Sequence, residues 1–130
     1  MKKKTMQTYK NYVCPKCFNI LTQCNCDKLS DKLIYIDVGI QEHIKILNAK
    51  GYKTLFCCES HYERNDLQLY ISFAYQHYHL GELPHGFKRS ADGRNIEYIF
   101  NSKLSRDAYS QCKNDVLKEL LEWCKALPNL

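Results

Sequence analysis

No run of this chain approaches the roughly 20 apolar residues needed to cross a bilayer, because every apolar stretch is broken by a charged or polar residue within a few positions. A helical membrane span is therefore not expected, and the sequence reads as soluble. Met1-Lys2-Lys3-Lys4 resembles the charged opening of a leader peptide. The following segment, Thr5 to Asn11, lacks both an apolar run and a small-residue cleavage site, so secretion is not expected. There is no internal repeat with a period of about 20 to 50 residues, which argues against a solenoid or array. No glycine-rich loop precedes a helix. Gly39 before Ile40 stands alone, so a phosphate cradle of that type is absent. In the C-terminal half the acidic residues Glu82, Asp92, Glu97, Asp107, Asp115, Glu119 and Glu122 are scattered, which argues against an acidic surface that mimics DNA.

What the chain does have is cysteine: eight in 130 residues. Without a secretory signal, such abundance points to metal binding or reduced thiols in a cytoplasmic compartment rather than to a disulfide framework. The length suits one main domain with a small appendage, and 45% hydrophobic with 25% charged residues is ordinary for a chain that buries a core. The expected division is a lysine-rich tail and cysteine-rich head over residues 1–30, followed by a body over 31–130. The net charge of +5 owes three charges to Lys2, Lys3 and Lys4, which leaves the body only mildly basic.

The body reads as α+β. Leu33 to Val38 is rich in β-branched and aromatic residues and predicts a strand. From Ile40 the period changes: Ile40, Ile44 and Leu47 share a helical face, and Gly51 stands where a left-handed cap ends the helix. Tyr52 to Cys58 predicts a second strand. Leu67, Leu69, Ile71, Phe73 and Tyr75 alternate with more polar neighbours as a half-buried strand does. Asp92-Gly93 announces another strand over Ile96 to Phe100, after a long loop from His77 to Gly93. Ser105 is an N-cap for a final amphipathic helix through Tyr109, Cys112, Val116, Leu120, Trp123 and Leu127, stopped by Pro128. The expectation is a small antiparallel-rich sheet packed with two helices, the N-terminal knuckle resting on it.

The head carries the clearest chemistry. Cys14-Pro15-Lys16-Cys17 is a C-x-x-C pair, and Cys24-Asn25-Cys26 follows six residues later as a C-x-C pair. Zinc takes four thiolates in a tetrahedron at about 2.3 Å, and a tight turn between two nearby cysteines presents both sulfurs to one point. The four residues predict a closed and hence structural zinc site, in which metal binding supplies folding energy that so short a segment lacks. Should Cys24 or Cys26 not serve, Cys57, Cys58 or His61 could complete the shell. Cys57-Cys58-Glu59-Ser60-His61 is a second cluster, open to three readings: another metal site, a cysteine–histidine nucleophile pair, or a core cysteine beside a solvated histidine. His77 and His79 could join a metal site or lie on the surface. Lys88, Arg89 and Arg94 flank the Asp92-Gly93 turn and form a weak partner-binding candidate, with two readings: a nucleic-acid contact or, the favoured one, a solubilising hairpin tip. Ten tyrosines suit a protein interface.

The C-P-x-C knuckle together with Gly51-Tyr52-Lys53-Thr54-Leu55-Phe56-Cys57-Cys58-Glu59-Ser60-His61 resembles small zinc-knuckle proteins of phages and prophages of Gram-positive bacteria, over about residues 12–73. The resemblance implies a glycine at position 59 or 60, where this chain has Glu59 and Ser60. In general build the chain is similar to the anti-CRISPR metalloproteins that block the type II effector nuclease. What this implies is a zinc-containing inhibitor acting on a host effector nuclease in the bacterial cytoplasm; with the closed metal site, the lack of a catalytic set and the abundant tyrosine, the expectation is a non-enzymatic protein-binding chain, and a monomer. The alternatives are a nucleic-acid-binding module using the basic tail and the Lys88–Arg94 loop, and an enzyme centred on Cys57, Cys58 and His61. The last would be an RNA-modifying one, since the G-Y-x-T strand and following cysteine also resemble the tRNA wybutosine-synthesis family.

Overall fold

The computed structural model describes residues 11–20, 23, 24, 26, 33–75 and 80–130; the lysine tail, His77 and His79 lie outside these residues. The fold is α+β, as the element pattern predicts, with two helices and two antiparallel sheets among the described residues. Strand β1 (Tyr12–Val13) pairs with β2 (Ile34–Tyr35) as a small separate sheet. After a 3-10 turn over Val38–Ile40 come α1 (Gln41–Ala49), β3 (Thr54–Cys58) and β4 (Gln68–Phe73). Strands β5 (Lys88–Arg89) and β6 (Asn95–Ile99) follow, and the long helix α2 (Arg106–Ala126) completes the body. The main sheet has the order β3-β4-β6-β5 and is antiparallel throughout.

Two expectations are corrected. The predicted strand over Leu33 to Val38 shrinks to Ile34–Tyr35 and belongs to the small sheet, not the main one. Beyond Tyr35 the chain turns at Asp37 into the 3-10 segment, and there the side chain of Asn11 replaces the strand pairing by accepting from Val38 N–H at 3.1 Å. The alternation through Tyr75 stops at Phe73, and Tyr75 lies in solvent. Within β4 the alternation holds: Leu69, Ile71 and Phe73 are fully buried, while Gln68, Tyr70 and Ser72 are half-buried on the other face. The long loop also contains β5, which forms a hairpin with β6 around Asp92-Gly93. Gly93 there has φ +73°, a conformation glycine adopts without a Cβ penalty.

Helix α1 ends as its glycine predicts. Gly51 has φ +98°, Tyr52 N–H donates to Leu47 O at 2.9 Å and Gly51 N–H to Asn48 O at 3.1 Å, the paired bonds of a Schellman cap. Ser105 caps α2 through its hydroxyl, which accepts from Ala108 N–H at 3.2 Å. The other end of α2 is held by Lys50, whose Nζ donates to the carbonyls of Cys124 at 3.1 Å and Leu127 at 2.6 Å and also to that of Lys125. Ile40, Ile44 and Leu47, the buried face of β4, Ile96, Phe100, and Tyr109, Val116, Leu120 and Cys124 of α2 share one core. Val13 of β1 is fully buried in that same core, so the cysteine-rich segment starts from a fixed point.

Candidate metal centre

Because Val13 is anchored in the core, Cys14 leaves β1 in a defined direction and is itself buried. The chain then folds back tightly: Phe18 N–H donates to Cys14 O at 2.8 Å and Cys14 N–H to Asn19 O at 3.0 Å, with Ile20 bridging to Val13. Phe18 takes φ +58° at the turn, a strained position for a bulky residue. Lys16 N–H donates to Cys14 Sγ at 3.4 Å. All four cysteines singled out by spacing come together: the sulfurs of Cys14, Cys17, Cys24 and Cys26 lie within 4.8 Å of one another, all as free thiols. Cys14 Sγ and Cys26 Sγ are 3.8 Å apart, too far for a disulfide bond of about 2 Å.

The electrostatics of this cluster are those of a site short of positive charge. Backbone N–H groups of Cys17 and Lys16 pull the Cys14 thiol down to about 6. The neighbouring thiols of Cys24 and Cys14 push Cys26 up to about 12. One sulfur is ready to ionise, and each further ionisation is opposed by the one before it. A cation at the centre removes that opposition, so the donor set fits a metal site.

The second cysteine cluster is rearranged relative to the sequence reading. Cys57 and Cys58 are successive strand residues and point to opposite faces of β3. Burial, then the Asp37 charge, pushes the Cys57 thiol up to about 12; burial, with Asp66 and Asp37 adding to it, pushes Cys58 up to about 11. An activated cysteine nucleophile requires a shift in the other direction. His61 is not a solvated loop histidine: its Nε2 lies 3.0 Å from Asp37 Oδ2, and its side chain is 25% exposed. Asp37, the residue sequence reasoning passed over as part of a strand, also accepts from Glu59 N–H at 3.1 Å. Donor atoms of Asp37, Cys58 and His61 lie within 4.8 Å of one another.

Compared with models of protein families, with curated proteins and with solved structures, the chain matches none.

The basic candidates share one hairpin. Lys88 and Arg89 form β5 at the sheet edge, and Arg94 lies across the turn. Asp92 sits among them, its carboxylate accepting from Ser90 Oγ at 2.5 Å and from Arg94 N–H at 3.0 Å, so the hairpin is not a purely cationic surface. A more conspicuous surface lies at the opposite edge of the sheet. Among the described residues no strand pairs with the outer side of β3, and Leu55 and Phe56 are exposed there, Phe56 at 65%. With Phe18 of the knuckle and Tyr35 of β2 they line a shallow groove of about 140 Å³. Among the described residues no helix is long and apolar enough to cross a membrane.

Proposed function

We propose that Cys14, Cys17, Cys24 and Cys26 hold one structural zinc ion, and that the chain works by binding a protein partner through the apolar edge beside this knuckle. The observation carrying the zinc assignment is the 3.8 Å between Cys14 Sγ and Cys26 Sγ. Sulfurs about 2.3 Å from a tetrahedral ion are separated by about 3.8 Å, so this pair has the spacing expected of two zinc ligands, with the other two sulfurs within 4.8 Å. Four thiolates close the sphere and leave no position for water, which makes the ion a fastener rather than a reagent. What it fastens is the turn carrying Phe18, next to Leu55, Phe56 and Tyr35.

An unpaired strand edge flanked by exposed aromatic and aliphatic side chains is what an added strand or an apolar partner surface uses. The resemblance to anti-CRISPR metalloproteins supplies the target class: a type II effector nuclease of the host. The test is DNA cleavage by a purified, guide-loaded type II effector in the presence of the chain, for the wild type and for Phe56→Asp. Inhibition by the wild type, weakened at least tenfold in the variant and after zinc removal, supports the reading. No inhibition and no complex on a sizing column would dismiss the nuclease target while leaving the zinc assignment to its own elemental analysis.

A further inference from the structure

Away from the knuckle, Asp37, Cys58 and His61 form the other group of potential metal donors among the described residues. Three segments build it. Asp37 stands at the turn between β2 and the 3-10 segment, Cys58 ends β3, and His61 follows in the loop leading to β4. The loop is tightly specified. His61 N–H donates to Asp66 O at 2.7 Å and Asp66 N–H to His61 O at 3.1 Å, while Ser60, fully buried, takes φ +79°. Helix α2 straps that conformation in place: Ser60 Oγ pairs with Tyr109 Oη at 2.7 Å, and Lys113 Nζ donates to Ser60 O at 2.9 Å. A left-handed backbone at a buried serine is a strained state that persists because its surroundings enforce it, and such states concentrate at functional sites.

This conformation aims Ser60 N–H at Cys58 Sγ, 3.4 Å away. The knuckle makes the same contact, from the amide two residues past Cys14 and at the same 3.4 Å. An amide donated to sulfur stabilises a thiolate, and fixed outer partners of this kind orient metal ligands. Asp37 is likewise held, by Glu59 N–H at 3.1 Å. Imidazole, thiolate and carboxylate together form the mixed nitrogen, sulfur and oxygen set that zinc-class ions accept.

We propose that Asp37, Cys58 and His61 form a second metal site, binding a divalent ion of the zinc class through one carboxylate oxygen, one thiolate and one imidazole nitrogen. Ligand atoms around a tetrahedral ion lie roughly 3.3–3.8 Å apart for bonds of about 2.0–2.3 Å. The 3.0 Å between His61 Nε2 and Asp37 Oδ2 and the 4.8 Å limit over the whole group are within small side-chain adjustments of that arrangement. Binding exchanges the Cys58 thiol proton for a metal–sulfur bond. The proton leaves through Asp66, whose Oδ2 lies 3.3 Å from the sulfur. Three protein donors leave one coordination position for a further donor, and His61, alone of the three, also lines a surface cleft with Tyr62, Arg64, Tyr109 and Lys113.

The experiment is titration of the metal-free full chain with cobalt(II), followed by visible absorption and elemental analysis. The wild type is expected to take up one ion at the four-thiolate knuckle and a second with the weaker charge-transfer band of a single thiolate. Cys58→Ser and His61→Ala should each abolish the second ion and keep the first, with helical circular dichroism unchanged. Cadmium NMR of the wild type, which needs no variant to fold, should show one resonance in the all-sulfur range and another in the mixed-donor range. Uptake confined to the knuckle, with Cys58→Ser identical to wild type or only one cadmium resonance, would reduce the group to an aspartate–histidine hydrogen bond and overturn the proposal. The knuckle assignment is tested separately, since it fails only if the all-sulfur signal is missing.

Discussion

The knuckle draws four sulfurs from residues 14–26, whereas the body cluster draws three kinds of donor from segments up to 24 residues apart. The first lies within one short segment of chain, the second is assembled by tertiary structure. Both place a non-glycine residue in the left-handed region near a cysteine, Phe18 at φ +58° and Ser60 at φ +79°, and both direct an amide at sulfur over 3.4 Å. What enforces the strain differs. Around Ser60 it is the hydroxyl of Tyr109 and the ammonium of Lys113, both from α2, together with the bond that Ser60 Oγ donates to Asp66 O at 2.8 Å. Phe18 has its turn hydrogen bond to Cys14 and packing against the core, and the ion proposed at the four sulfurs would complete the restraint. The contrast teaches that similar local geometry can depend on a ligand in one place and on the fold in another.

The largest expected effect separates the two directly. Cys14→Ser should remove the knuckle ion altogether, since binding at such sites is worth on the order of 10 kcal/mol and rests on the full ligand set. Hydrogen exchange should then rise over residues 11–20 while α2 keeps its protection. Loss of α2 protection in the same variant would show that the body also depends on the metal.

A smaller change addresses the strap. Tyr109→Phe deletes the hydroxyl paired with Ser60, and denaturant unfolding should register a loss of about 1–2 kcal/mol, the usual effect of removing one partner of a buried hydrogen bond. The knuckle's metal content should be unaffected. An unchanged midpoint would mean that the Tyr109 hydroxyl is not needed for the Ser60 conformation and would leave the strap to Lys113.

The gentlest test uses pH. His43 is buried between the helices, with Nε2 donating to Leu117 O at 2.7 Å, and burial lowers its affinity for a proton below the usual 6.5. Its folded value being depressed, the stability it contributes is complete above about pH 6.5 and declines as pH falls through the folded value, because the unfolded chain takes up the proton first. His43→Gln should flatten the slope of unfolding free energy against pH in that window. Zinc held by the four cysteines should also be released on acidification, because protons compete with the ion for sulfur, but in the His43 variant this release should keep its wild-type profile. An unchanged slope in the variant would assign the pH dependence to other groups.

Local signals made much of this legible in advance. The cysteine spacing identified the knuckle because its four donors are close in sequence, and the three-and-four recurrence after Ser105 identified α2 for the same reason. Alternation located β4, and Asp92-Gly93 located the β5–β6 hairpin, although β5 itself was too short to be seen. The small sheet was not legible, because Ile34 and Tyr35 pair with Tyr12 and Val13 across more than 20 residues and nothing in either segment names its partner. Asp37 escaped for a related reason: its significance lies in facing His61 and Glu59, a relation created only when β3 docks. Cys57 and Cys58 looked equivalent in sequence, and the pleat of β3 separates them.

The ammonium of Lys50 spends its hydrogen-bonding capacity on the carbonyls of Cys124, Lys125 and Leu127, while its own carbonyl accepts from Leu130 N–H at 2.8 Å. An amine engaged in this way is a poor target for acylating reagents as long as α2 stays docked, whereas surface lysines such as Lys103 react freely. Lys50 thus acts as an internal gauge, and the extent of its labelling reads out how often the end of the long helix lifts from the body.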